Sequence, residues 1–182
     1  MTQRALLVMD VQEMVVARYP DPDYLPRLRQ AIHAARADQI PVIYVTVGFR
    51  PGAPEVSPRN RMFGRLAGNA GAAHPNPVHP DVAPEPGDIV VTKRRVSGFA
   101  GSDLELVLRS GGIDHLVLTG IATSGVVLST LRQAADLDFE LTVLADACLD
   151  ADPEVHRVLV EKIFPAQAEV TSVAAWIRAG KS

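Results

Sequence analysis

The chain has 182 residues, 47% of them hydrophobic and 21% charged, a balance that suits one globular domain with a sizeable core. A net charge of -3 with dispersed basic residues excludes an electrostatic case for nucleic acid or an anionic membrane, and no apolar run approaches a membrane span. The single cysteine, Cys148, excludes an intrachain disulfide and points to a reducing, cytoplasmic setting.

Residues 5–9 are a continuous apolar run, as expected of a central parallel strand buried on both faces, and too short for the apolar core of a signal peptide. Leu25, Leu28, Ile32 and Ala35 then recur at helical spacing, with Asp23 placed to cap that helix. Residues 41–47 are rich in β-branched side chains and read as a second strand; 89–92 read as a third, entered through Pro86-Gly87-Asp88. Ser102-Asp103-Leu104-Glu105 has the pattern of a capping box, and Gly111-Gly112 stops the helix it opens. Residues 115–119 are a fourth strand, and the helix after Gly125 carries Leu128, Leu131, Ala134 and Ala135 on one side. A fifth strand covers 140–145. Asp152-Pro153 starts a helix to about Phe164, Glu169-Val170 is a short edge strand, and a last helix lies around 172–178.

Strands alternating with helices through short connections imply a single-domain three-layer α/β/α sandwich. Its sheet is mainly parallel, roughly six-stranded and Rossmann-like, with right-handed crossovers. Sites in such sheets lie at the carboxyl ends of the strands. That rule gathers Asp10, the Val47-Gly48 turn, Lys93, the Gly120–Gly125 turn and Asp146 on one rim. The exception to compactness is the stretch 48–87, which holds Pro51, Pro54, Pro58, Pro75, Pro77, Pro80, Pro84 and Pro86 without periodicity. A long irregular segment of this kind is expected to cover the rim or a partner subunit.

Several residues on this rim can carry chemistry. Asp10, after an apolar strand, sits where partial desolvation would raise its pKa for proton transfer; the plainer alternative is a cap for the turn that follows. Lys93 is either a surface cation or the partner that keeps such a carboxylate ionised. Gly120-Ile121-Ala122-Thr123-Ser124-Gly125-Val126, between strand and helix, offers backbone N–H groups to an anion, or simply packs tightly. Cys148 has no histidine near it in sequence and reads as buried filler. Asp146 reads as a structural cap before a substrate ligand. His74, His79 and Asp81 have a spacing in which a metal site can be imagined, but the loop offers no visible scaffold for one, and solvated loop histidines are the simpler reading. Arg50, Arg59, Arg61 and Arg65 cluster in the same loop, where one can fork onto a carboxylate substrate.

Asp10-x-Gln12, the segment Thr92-Lys93-Arg94-Arg95-Val96-Ser97-Gly98-Phe99, then Ser102-Asp103-Leu104 and the Gly120 turn resemble the isochorismatase-like hydrolase superfamily over essentially the whole chain. The resemblance implies that Asp10 and Lys93 form the acid/base pair and that Ala122 and Val126 supply oxyanion-hole amides. It implies Gln12, Phe49, Phe99, Ser124 and Gly125 as substrate contacts, and a cis peptide between Ile121 and Ala122. Many superfamily members carry a cysteine where Val126 stands. Valine cannot attack a carbonyl, so the acyl-enzyme route of nicotinamidases and carbamoyl hydrolases is closed to it. The aspartate-x-histidine metal motif of nicotinamidases is replaced by Val47-Gly48-Phe49-Arg50-Pro51, and neither a metal nor a cofactor is expected. Isochorismatases proper work without the cysteine, using the aspartate to protonate a vinyl ether; their aromatic-small-histidine turn reads Ala122-Thr123-Ser124 here. The expectation is a hydrolase of a small anionic metabolite that uses the Asp/Lys pair without covalent cysteine catalysis. The alternative is a non-catalytic small-molecule-binding or assembly protein on the same fold. Members commonly assemble, which implies a homodimer or higher homo-oligomer.

Overall fold

The computed structural model describes residues 3–180, so the outer ends of the domain expected over 1–182 lie outside the described residues. In chain order the elements are β1 (Arg4–Met9), α1 (Glu13–Val16), α2 (Tyr24–Ala37), β2 (Val42–Val47), β3 (Ile89–Lys93), α3 (Leu104–Ser110), β4 (His115–Ile121), α4 (Leu128–Asp136), β5 (Glu140–Leu149), α5 (Pro153–Val158), β6 (Glu169–Thr171) and α6 (Val173–Ala179). The six strands form one sheet in the order β3-β2-β1-β4-β5-β6, every neighbouring pair parallel.

The alternation of side chains along β1 shows why the sheet needs two covering layers. Ala5, Leu7 and Met9 pack with Leu104 and Leu108 of α3, Leu131 of α4 and Phe164 on one face. Leu6 and Val8 pack with Leu28 and Ile32 of α2 and Val173 of α6 on the other. Each fully buried leucine or valine of this kind contributes about 1.5–3 kcal/mol. No polar position therefore interrupts the strand, as its uniform apolar run implies.

The chain runs outward from β1 to β2 and β3, then returns to place β4 on the other side of β1. The order thus reverses between β1 and β4, and the loops leaving these two strands diverge to open a crevice there. Between β2 and β3 the chain from 48 to 88 holds only short 3₁₀ turns at Gly64–Leu66, Ala70–Ala73 and Pro80–Val82.

Three local features differ from expectation. Asp23 begins α2 without a side-chain cap; Asp21 does the work, its Oδ1 accepting the Asp23 N–H at 2.9 Å. The capping box at Ser102 is not formed. Ser102 Oγ instead donates to the Gly98 carbonyl at 2.6 Å, and Glu105 reaches Arg109 at 3.8 Å on the helix surface. β5 continues to Leu149 because pairing with β4 resumes after a bulge: two steps along β4, Leu118 to Gly120, match five along β5, Val143 to Cys148. Asp152 does cap α5 as expected, accepting the N–H groups of Glu154 and Val155 at 2.9 and 3.4 Å.

Candidate active site

Strand register brings the site together. Met9 lies level with Val45 and with Gly120, and Val47 lies level with Lys93, so the ends of four adjacent strands share one rim. Asp10 follows β1 directly. Its N–H continues the ladder to the Val45 carbonyl at 2.8 Å, and its φ of 56° then turns the chain out of the sheet. Aspartate is among the few residues that take this left-handed conformation at modest cost.

Across β2, Lys93 ends β3 pointing back into the crevice. Its Nζ lies 2.9 Å from Asp10 Oδ2 and donates to the Arg95 carbonyl at 2.9 Å. The lysine is 1% exposed and the aspartate 9%, so neither is a surface charge. Asp10 Oδ1, in contrast, is buried without a hydrogen-bond partner. Burial pushes the Asp10 carboxyl up to about 6, the larger influence, while the Lys93 ammonium pulls it down.

The third wall is the turn after β4. Gly120, at φ 143°, crosses so close to β1 that a Cβ would stand 2.3 Å from the Met9 carbonyl oxygen, so this position admits no side chain. The Ile121–Ala122 peptide is cis. Residues 123–127 form a wide helical turn kinked at Gly125, anchored by the Ser124 N–H donating to Asp150 Oδ2 at 2.7 Å and by Thr123 Oγ1 lying 2.8 Å from His156 Nδ1.

These elements enclose a cavity of about 480 Å³ lined by Asp10, Lys93, Val47, Ile121, Ala122, Gly125 and Val126 at its base. Its outer walls come from α1 and the turn that follows it, through Met14, Val15 and Arg18, and from the proline-rich segment, through Phe49, Met62, Phe63, Arg65 and His74. The segment 48–87 therefore covers the rim, one of the two positions expected of it.

Of the site residues expected from sequence, the structure brings Asp10, Lys93, Phe49, Ala122, Gly125 and Val126 to one cavity. It does not bring Gln12, Phe99, Ser124 or Asp146 there. Gln12 is 2% exposed and acts as a clamp. Its Nε2 donates to the carbonyls of Val47 and Asn76, at 3.1 and 2.6 Å, and its Oε1 accepts the Val47 N–H at 2.9 Å. Phe99 faces the core against Phe139, ring centroids 6.1 Å apart, because Ser97 Oγ donates to Gln133 Oε1 and the Gly98 N–H donates to Thr130 Oγ1, tying this segment onto α4. Ser124 is exposed, its N–H spent on Asp150. The β5 bulge turns Asp146 toward α6, where Oδ1 accepts the Val173 N–H at 2.8 Å; it is the structural cap the sequence suggests.

In the loop, Arg65 reaches the cavity, whereas Arg50 pairs with Glu55 at 3.7 Å. His74 lines the cavity wall and His79 lies 3.9 Å from Asp81; among the described residues no three metal-ligating side chains come together. Cys148 is buried inside β5, and burial pushes its thiol up to about 12. Sequence reading passed over Met14, Arg18 and Tyr19. The signal available was their position: they follow the carboxyl end of the central strand within three turns, where the fold puts binding loops.

Comparison with known proteins agrees with this architecture. Residues 4–175 match the isochorismatase domain family. The chain is 37% identical over 181 residues to the ureidoacrylate amidohydrolase RutB of Stutzerimonas stutzeri, covering 84% of this chain and 72% of that protein. A solved isochorismatase family protein from Burkholderia thailandensis superimposes with a TM-score of 0.89 at 28% identity, covering 99% of this chain and 96% of that one. N-carbamoylsarcosine amidase from Thermoplasma acidophilum superimposes with a TM-score of 0.74 at 27% identity, covering 94% and 97%. Among the described residues no helix is long and apolar enough to cross a membrane.

Proposed function

The chain belongs to the isochorismatase family, and from that premise we propose that it hydrolyses a small anionic metabolite in the Asp10 cavity without a covalent cysteine intermediate. The observation that carries this reading is the asymmetry of the Asp10 carboxyl. One oxygen is held by Lys93 at 2.9 Å and the other is buried without a partner. A buried unpaired oxygen is costly to keep, and it is the atom free to exchange a proton with a reactant. With the carboxylate ionised, Oδ1 takes a proton from water attacking a carbonyl carbon. With it protonated, Oδ1 delivers a proton to a vinyl ether, and water completes the hydrolysis. Lys93 steadies the anionic state of Asp10 in both cases. The backbone amides of Ala122 and Val126, at the head of a helical turn, are suited to receive developing negative charge.

Two relatives are named as an amidohydrolase and an amidase, which supports a C–N bond among the candidate scissile bonds, beside an ester or a vinyl ether. By the resemblance of the Gly120 turn, Val126 takes the place where many relatives hold the nucleophilic cysteine. Cys148 offers no substitute, being buried in the core with its thiol held protonated.

The test is turnover of a panel of anionic vinyl ethers, amides, carbamoyl compounds and esters by the wild type and Asp10→Asn. The expected result is a loss of about a hundredfold or more in the variant with its circular dichroism intact. Equal turnover by the two would sink the reading. Val126→Cys supplies a complementary outcome: amide or ester hydrolysis with an acyl-enzyme visible by intact mass. The valine itself favours one other reading, a pocket kept for binding alone. Saturable ligand binding by the wild type with no turnover across the panel would establish it.

A further inference from the structure

The outer part of the cavity differs in chemistry from its base. Phe49 and Phe63 form a tilted ring pair there, centroids 5.3 Å apart and planes at 55°. Met14 and Met62 stand on the same cavity and remain 49% and 60% exposed. Exposing large apolar side chains to water is unfavourable, and two of them bordering one concavity mark a surface meant to be covered.

Arg18 and Arg65 line the same walls, both exposed. Several arginines elsewhere are paired with acids: Arg27 with Asp21, Arg36 with Glu85 and Asp88, Arg94 with Glu55, Arg157 with Glu154 and Glu161. Arg18 and Arg65 form no ion pair among the described residues. Nor does the cavity supply one, since its acid lining is Asp10, already engaged by Lys93. Two guanidinium groups without a carboxylate thus face a pocket walled by two rings and two thioethers.

We infer that the substrate is an aryl carboxylate. Its ring lies among Phe49, Phe63, Met14 and Met62, its carboxylate is gripped at the mouth by Arg18 and Arg65, and its scissile bond points inward to Asp10. Aromatic rings pack well in tilted geometry against phenylalanine and against methionine sulfur. The planar guanidinium matches a carboxylate in a way a lysine ammonium does not. Arg18 and Arg65 are specificity-determining residues in this arrangement and take no part in the proton transfer. The inference rests on the reading of the Asp10 cavity as the substrate site.

The experiment is calorimetric binding of three probes, 3-phenylpropanoate, 3-phenylpropanamide and 3-cyclohexylpropanoate, to the wild type, Arg18→Met and Arg65→Met. Both arginines are exposed, so the variants are expected to melt with the wild type. The expected result is that the aryl acid binds about tenfold more tightly than its amide, and that each variant weakens the acid about tenfold while leaving the amide unchanged. Tighter binding of the aryl acid than of the cyclohexyl acid is the aromatic signature. Equal binding of acid and amide, insensitivity to both substitutions, or no saturable binding of any probe would overturn the inference. Binding as expected, with no turnover of any panel compound, overturns the hydrolase reading and the inward scissile bond, and leaves the cavity a binding site for aryl carboxylates. Turnover of uncharged substrates without preference for acids does the reverse.

Discussion

Asp10 illustrates how much a single residue owes to its surroundings. In water such a carboxyl titrates at about 3.8; burial lifts it to about 6 despite Lys93 beside it. The folded chain accordingly binds more protons than the unfolded chain between these values, so this group withdraws stability as pH rises through that window. Measured against Asp10→Asn, the wild-type stability should fall by on the order of 3 kcal/mol between pH 4 and pH 6.5, read as a relative drop in melting temperature. The same pKa sets the sign of the rate profile. If Asp10 gives a proton to a vinyl ether, kcat/KM declines above about pH 6; if it takes one from water, kcat/KM climbs through about pH 6 to a plateau. A profile flat across that range would remove Asp10 from the chemistry.

At the scale of elements, the site depends on connections that no strand or helix pattern announces. Gln12 is one, its side chain fastening the end of β2 and the loop at Asn76 to the segment just after Asp10 through three hydrogen bonds. Gln12→Leu keeps most of the volume but strands two carbonyls and an N–H. It should lower stability by about 2–3 kcal/mol and speed proteolytic cleavage within 48–87; unchanged cleavage would mean the loop is held elsewhere. The loop has other ties, including Arg36 to Glu85 and Asp88, both at 2.5 Å, and Arg95 to the Glu55 carbonyl at 2.5 Å. Gly120 is the counterpart on β4, where only a missing side chain lets β1 and β4 approach at the rim. The β5 bulge shows the opposite kind of surprise: Asp146 reads as the end of a strand, yet α6 satisfies its carboxylate and pairing with β4 continues beyond it.

For the whole molecule, the parallel sheet with both faces covered creates one protected interior, and Cys148 reports on it. The thiol lies 4% exposed in β5, with burial holding its pKa near 12. Its reaction with a disulfide reagent should track global unfolding in denaturant, and Cys148→Ser should leave turnover in place; rapid labelling of the native chain would contradict the buried placement. The strand and helix order, the central position of β1 and the rim carrying Asp10 and Lys93 were all legible in the sequence, because apolar runs, β-branched segments and helical spacing express local burial directly. The Gly120 turn was legible too, through its resemblance to a family. The unpartnered oxygen, the duty of Gln12 and the outward walls from Met14, Arg18 and Phe63 were decided by tertiary structure alone. They arise from residues distant in sequence that meet where the strand order reverses, and from an irregular segment whose path is set by hydrogen bonds to other elements. Period and propensity describe how a segment is buried; which partner waits on the far side of the crevice is settled only when the sheet is assembled.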